Sequence, residues 1–184
     1  MGIAGLVLAA GGGRRYGMPK ALVRSGGGRL WVERAADTLA AAGCDDIVVV
    51  LGAAADRVRA AAPALPYVDN PDWPTGMASS LRVGLAALAG TDAVAAVILL
   101  VDMPGVTAAA VRRVMAHAAP DALVIGGYGD RRGHPVLLGR DHWAGAAGAA
   151  TGDHGARDYL RAHADLVHIV PVGDVADDAD MDRP

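Results

Sequence analysis

LVLAAGGGRRYGMPKAL, residues 6–22, sets an apolar run against three consecutive glycines, two arginines and a Pro-Lys pair. The run from Ile3 to Ala10 is short, apolar and bounded by glycines, so it reads as a buried first strand. Gly11–Pro19 then reads as a loop. Glycine lets the backbone come close to an anion, and successive N–H groups form an anion-binding concavity. Arg14, Arg15 and Lys20 add charge-assisted hydrogen bonds. The stretch therefore predicts a phosphate-holding loop at the end of the first strand. It is not a P-loop, because Ala21 stands after Lys20 where Ser or Thr is required. Nor is it a dinucleotide fingerprint, because Tyr16 occupies the third glycine position.

Outward from this loop, apolar runs of four to eight residues alternate with helical patterns. Helices are expected over Leu30–Ala42, Ala53–Ala62, Ser79–Leu88, Thr107 to about Ala118, Asp141–Ala147 and Ala156–Ala164. Strands are expected over Ile47–Leu51, Leu65–Val68, Val94–Val101, Ala122–Ile125, His134–Leu138 and Leu166–Val172. Gly126–Gly133 reads as a glycine-rich turn, which makes the strands on either side of it an antiparallel pair. The alternation is that of an α/β domain with a Rossmann-like, mostly parallel sheet flanked by helices. Ligands of such sheets bind at the carboxyl ends of the strands. No linker or repeat divides residues 1–184.

The bulk composition narrows the function classes. With 53% hydrophobic and 20% charged residues the chain should fold. Its net charge of −3 and the lack of a long basic run argue against duplex nucleic acid as a partner. Cys44 is the only cysteine, which fits a reducing cytoplasm and excludes a cysteine-rich metal site. It reads as a small half-buried residue after a helix end. The apolar N-terminus suits a strand better than a signal peptide or a membrane span.

Taken as a whole, LAAGGGRRYGMPKAL resembles the L-A-A-G-x-G-x-R-M-G-x-x-K signature of nucleotidyltransferases that make nucleoside-diphosphate-linked products, with Tyr16 in place of the usual Met. Four more segments fit in the right order: TGMASSLRVGL (75–85), VDMP (101–104), RRGHPVLL (131–138) and GDHGARDYL (152–160). DMDRP (180–184) is an altered form of a closing D-I-D-T-P motif. The chain thus resembles the MobA-like nucleotidyltransferases, nearest to the molybdenum cofactor cytidylyltransferases. The fold this implies is the nucleotide-diphospho-sugar transferase type. The nucleotide-binding half would span about 1–104 and the acceptor-binding half about 105–184.

The resemblance also assigns roles. Ala9, Ala10, Gly11, Gly12 and Gly13 would pass their backbone around the nucleotide, with Arg14 beside them. Arg15 would grip the triphosphate, and Lys20 would meet the phosphates at the reacting centre. Gly76 and Ser80 would lie over the base; Ser79 and Ser80 as plain helix caps is the competing reading. Asp102 would bind Mg²⁺, with Asp180 as the first choice for a second ligand and Asp182 next. A solvated acidic tail is the alternative there. His134, Arg132, Asp153 and Arg157 would line the acceptor pocket, although Asp153 and Arg157 also suit an i, i+4 helical ion pair. The activity implied is transfer of CMP from CTP to the phosphate of molybdopterin, releasing pyrophosphate. A transient contact with a molybdoenzyme or its chaperone would follow. GTP, a different phosphorylated acceptor, and a non-catalytic binding protein are the rival readings.

Overall fold

Seven strands form one mixed sheet in a computed structural model that describes residues 1–184. The strands are β1 (Ile3–Leu8), β2 (Ile47–Leu51), β3 (Tyr67–Asp69), β4 (Ala95–Leu100), β5 (Leu123–Tyr128), β6 (Arg131–Gly139) and β7 (Val167–Pro171). Their order across the sheet is β3-β2-β1-β4-β6-β5-β7. Only β6 runs against its neighbours, pairing antiparallel with β4 and β5. The helices are α1 (Trp31–Ala42), α2 (Ala55–Ala61), α3 (Met77–Leu88), α4 (Ala108–Met115), α5 (Trp143–Ala149) and α6 (Arg157–Ala162).

Period-two alternation in β1 sends its side chains to two separate cores. Val7 and Ala9 join Leu39 of α1, Val58 of α2 and Val111 of α4 on one face. Leu6 and Leu8 join Leu81 and Leu85 of α3, Trp143 of α5 and Leu160 of α6 on the other. Because both faces are covered, the central strands are apolar throughout, as parallel strands require. No helix is long and apolar enough to cross a membrane.

Several local expectations shift. β1 stops at Leu8, two residues early, and the chain turns toward the glycine loop through the buried Ala9 and Ala10. α3 begins at Met77 with Gly76 as its N-cap, so Ser79 and Ser80 lie inside the helix instead of capping it. The glycine-rich stretch Gly126–Gly133 is mostly strand: Gly126, Gly127 and Tyr128 pair with Gly133, Arg132 and Arg131, leaving a tight turn at Gly129–Asp130. β7 pairs with the other edge of β5 through Gly127, which keeps these residues extended. α1 closes as expected on Gly43, in the left-handed region at φ 99°, with Cys44 half-buried behind it. Burial pushes the Cys44 thiol up to about 12, so it is an inert core group.

Two features of this topology position the site. β1 lies between β2 and β4, the point at which successive crossovers depart to opposite faces of the sheet and ligands bind. The glycine loop follows β1 and Asp102 follows β4, so both arrive there. The β4–β6 register runs from Ala95↔Gly139 to Ile98↔Val136; carried further, it brings His134 toward the same edge.

Candidate active site

The carboxyl edge opens into a cleft of about 1030 Å³, large enough for a nucleotide together with a second substrate. Gly11, Gly13, Arg14, Arg15 and Lys20 line it from the loop after β1, and Asp102 from the end of β4. Gly13 has a positive φ of 62°, and a Cβ there would stand 1.8 Å from the Met18 carbonyl oxygen. Only glycine permits that turn, which Gly17 N–H closes by donating to Gly13 O at 2.8 Å. Gly11, by contrast, has open space where a Cβ would be, so a ligand can approach its backbone.

Lys20 is the hub. Its Nζ donates to Asp102 Oδ2 at 2.8 Å and to Asp182 Oδ1 at 2.9 Å, with only 13% of its side chain exposed. Burial is the largest influence on this ammonium and opposes its charge. The hydrogen bonds to Asp102 and Asp182 outweigh it, so Lys20 titrates above its ordinary 10.5. The same bond and charge hold the Asp182 carboxyl below its usual 3.8. Arg15 Nη1 donates to the other Asp182 oxygen at 2.8 Å.

The C-terminal segment is therefore part of the site. It is held by Arg113, whose two Nη atoms donate to the two carboxylate oxygens of Asp174, and by Thr107 Oγ1 donating to Val175 O. Asp177 N–H donates to Gly105 O and Met181 N–H to Asp102 O. These bonds bring Asp180 and Asp182 beside Asp102, with one oxygen of each of the three within 4.8 Å of the others. Asp182, second choice on sequence, takes the ion pairs with Lys20 and Arg15; Asp180 is exposed. Three convergent carboxylates already gathered around a cation have the hard oxygen chemistry that suits Mg²⁺ or Mn²⁺.

The far wall belongs to β6 and the segment before α6. Arg132, His134, Asp153 and Arg157 all line the cleft. Burial lowers His134 to about 4 against the opposing pull of Asp102 and Asp178, so the imidazole is neutral near pH 7. Its backbone carbonyl accepts a short hydrogen bond from the Tyr128 hydroxyl. The expected helical pairing of Asp153 with Arg157 does not form, because α6 starts only at Arg157.

Ser80 has a partner within the fold. It is buried, and its Oγ accepts a hydrogen bond from Asn70 Nδ2 at 2.9 Å. Ser79 Oγ accepts from the same amide at 2.8 Å, and Asn70 Oδ1 accepts from Asp72 N–H. Neither Gly76 nor Ser80 is among the cleft-lining residues; Met77 and Leu81 of α3 are. Ala9 and Ala10 are buried, and the half-buried Gly12 packs toward Trp73. Sequence reading missed Asn70, whose signal was an amide before a proline at a strand's carboxyl end. It also passed over Asp178, which lines the cleft while 9% exposed.

Residues 5–167 match the family model of the MobA-like NTP transferase domain. A curated relative, nicotine blue oxidoreductase from Paenarthrobacter nicotinovorans, is 37% identical over 98% of this chain and 92% of its own length. Among solved structures, Rv0371c from Mycobacterium tuberculosis H37Rv superposes with a TM-score of 0.83 at 32% identity, covering 98% of this chain and 94% of that one. The manganese complex of Rv0371c gives 0.80 at 30% identity, with the same coverage. The 4-diphosphocytidyl-2C-methyl-D-erythritol synthase of Anaerococcus prevotii gives 0.74 over 98% and 90% at 14% identity, a likeness of fold.

Proposed function

The chain belongs to the MobA-like NTP transferase family, and from that premise we propose that it is a cytidylyltransferase, transferring CMP from CTP to the phosphate of molybdopterin or its molybdenum-loaded form. In this reaction an acceptor phosphate oxygen bonds to the α-phosphorus of CTP. The bond from that phosphorus to the bridging oxygen of the β-phosphate breaks, and pyrophosphate leaves. The observation that carries the proposal is the bridge from Lys20 to Asp102 and Asp182 beside the glycine loop.

Each residue has a task in this reading. The loop from Ala9 to Gly13 shapes the seat of the triphosphate, with Gly11 open to it. Lys20, Arg15 and Arg14 stabilise the charge that spreads over the phosphates as the bond breaks. Asp102 with Asp182 and Asp180 would hold a divalent cation, Mg²⁺ or the manganese found with the Rv0371c relative. When bound, such an ion neutralises triphosphate charge. Arg132 and Arg157 hold the anionic acceptor. A phosphate monoester is already largely ionised near pH 7, so the neutral His134 is needed as a wall and not as a base. In this division residues 1–104 serve the nucleotide and 105–184 the acceptor, except that Asp180 and Asp182 return to the phosphate side. Melting with each NTP and Mg²⁺ tests the base: stabilisation by GTP and not CTP would overturn the cytidylyl assignment.

The name of the 37% identical relative favours a second reading, a redox enzyme on the same cleft. Its glycine loop and cations would then hold the pyrophosphate of a nicotinamide dinucleotide. NADH-dependent bleaching of nicotine blue, without pyrophosphate release from CTP, would select it.

A further inference from the structure

Asp178 has no task in the chemistry above, yet it is the one residue with a buried side-chain oxygen that accepts no hydrogen bond. That oxygen is Oδ1, and the side chain as a whole is 7% exposed. A carboxylate taken this far out of water is costly unless an opposite charge compensates it. Here the Arg131 guanidinium of β6 does so, with Nη2 3.0 Å from Oδ1 as an ion pair. The other oxygen, Oδ2, lies 2.1 Å from where a Cβ on Gly133 would stand. One residue earlier, the Asp177 carbonyl oxygen lies 2.6 Å from where a Cβ on Gly105 would stand, and Asp177 N–H donates to Gly105 O. Neither glycine has a positive φ, so what each contributes is the room left by its missing side chain. The C-terminal tail is thus threaded at residues 177–178 between the loop after β4 and strand β6. Asp180 follows two residues later and Asp182 four. Four residues of fully extended chain reach at most about 14 Å. Asp180 is exposed, and the backbone on either side places it: Asp178 upstream, and Met181 N–H on Asp102 O downstream.

We infer that Asp178 is the positioning residue of the divalent-cation site. Held by Arg131 and seated over Gly133, it fixes the stretch of tail that brings Asp180 and Asp182 to Asp102. Asp178 is not one of the three carboxylates gathered within 4.8 Å, so it acts through them. This rests on the reading of those three as cation ligands, and on the identity of neither the nucleotide nor the acceptor.

The test is a Mn²⁺ titration of the whole protein well below its melting temperature, read from the electron paramagnetic resonance signal of the free ion. Arg131→Ala, Asp178→Ala and the double variant are compared with the wild-type protein. Each single variant should bind Mn²⁺ about 10-fold more weakly. The double variant should bind no more weakly than the singles, because the two side chains act as one unit. The sign in Arg131→Ala is decisive. Removing a cation near the cluster would tighten Mn²⁺ binding if charge alone were at work; releasing the tail weakens it. Gly133→Ala, which sets a Cβ against the carboxylate and changes no charge, should weaken binding by a similar factor. Melting curves in chelator separate out stability: a residue that only supports the fold lowers Tm and leaves the Mn²⁺ affinity of the folded protein unchanged. Unchanged or tighter binding in Arg131→Ala overturns the inference, as do losses that add in the double variant. The Arg131 side chain is 69% exposed, so that arm decides even if the Asp178 and Gly133 variants do not fold. No Mn²⁺ binding by the wild-type protein overturns the cation-site reading and the inference with it; binding with unchanged variants overturns the inference alone. Pyrophosphate release from CTP is measured separately, and its absence overturns the transferase reading while the Mn²⁺ comparison stands.

Discussion

Replacing Lys20 with Met keeps the stem of the side chain and removes its charge. The ammonium bridges Asp102 and Asp182, and Asp180 stands in the same cluster. The Lys20–Asp102 contact is well shielded, with 13% and 20% of the two side chains exposed. A hydrogen bond between charged groups in such a place contributes about 1.5–3 kcal/mol. Asp182 is more open and adds less. In a domain of this size about 2 kcal/mol corresponds to a fall in Tm of about 4–8 °C. The variant also leaves three carboxylates facing one another without their cation, so a divalent ion should restore more stability to it than it adds to the wild-type protein. The assay is a melting curve at neutral pH with chelator, then with Mn²⁺, for both proteins. Equal melting in chelator together with an equal response to Mn²⁺ would refute the bridge as the organising contact. In turnover, losing this cation should lower pyrophosphate release about 100-fold or more.

Asp102→Ala should abolish divalent-cation binding in calorimetry along with pyrophosphate release, while Arg82→Ala, on the surface, leaves both intact. Gly13→Ala drives a Cβ into the Met18 carbonyl and should remove CTP-dependent stabilisation, with the far-UV circular dichroism unchanged. Asn70→Ala leaves the hydroxyls of Ser79 and Ser80 without their shared donor and should cost about 1–3 kcal/mol in urea unfolding without altering the order of preference among nucleotides. Acid should weaken the fold through His134. The imidazole titrates near 4 in the folded chain and near 6.5 unfolded, so the unfolded state binds more protons between those values. Stability is then full above about pH 6.5 and declines toward pH 4; His134→Gln should flatten that decline in a series of melting curves.

The central strands are legible because parallel strands covered on both faces are apolar along their whole length, as in IVVVL of β2 and AVILL of β4. The glycine loop is legible as a turn because positive φ and close approach at Gly13 leave glycine as the only choice. Gly126–Gly133 misleads for a related reason. Glycines signal a turn locally, but here pairing with β6 on one side and β7 on the other holds them extended. The hydrogen bonding of Ser80 is not legible, because a hydroxyl at a helix start looks the same in sequence whether it faces a ligand or a buried amide. Its partner, Asn70, comes from the end of another strand.

The acidic tail is the sharpest case of what spacing along the chain cannot carry. Five aspartates between Asp174 and Asp182 are alike in composition, and a solvated tail is their simplest reading. In the fold they separate by partner. Asp174 meets Arg113 on α4, Asp177 lies against Gly105, Asp178 enters the cleft over Gly133, and Asp182 reaches Lys20 and Arg15. Each partner lies at least 40 residues away in sequence. The tail therefore works as a strap. Its anchors at Thr107 and Arg113 fix the approach, and three of its aspartates, Asp178, Asp180 and Asp182, line the cleft. Asp178 packs over Gly133, and Asp182 pairs with Lys20 and Arg15 of the glycine loop. The tail should accordingly matter to the nucleotide and to the divalent cation that accompanies it. Cutting the chain after Gly173 should weaken CTP-dependent stabilisation and divalent-cation binding together in melting curves and calorimetry, and Asp182→Asn should reproduce part of both losses; a truncated chain that keeps both would refute the strap.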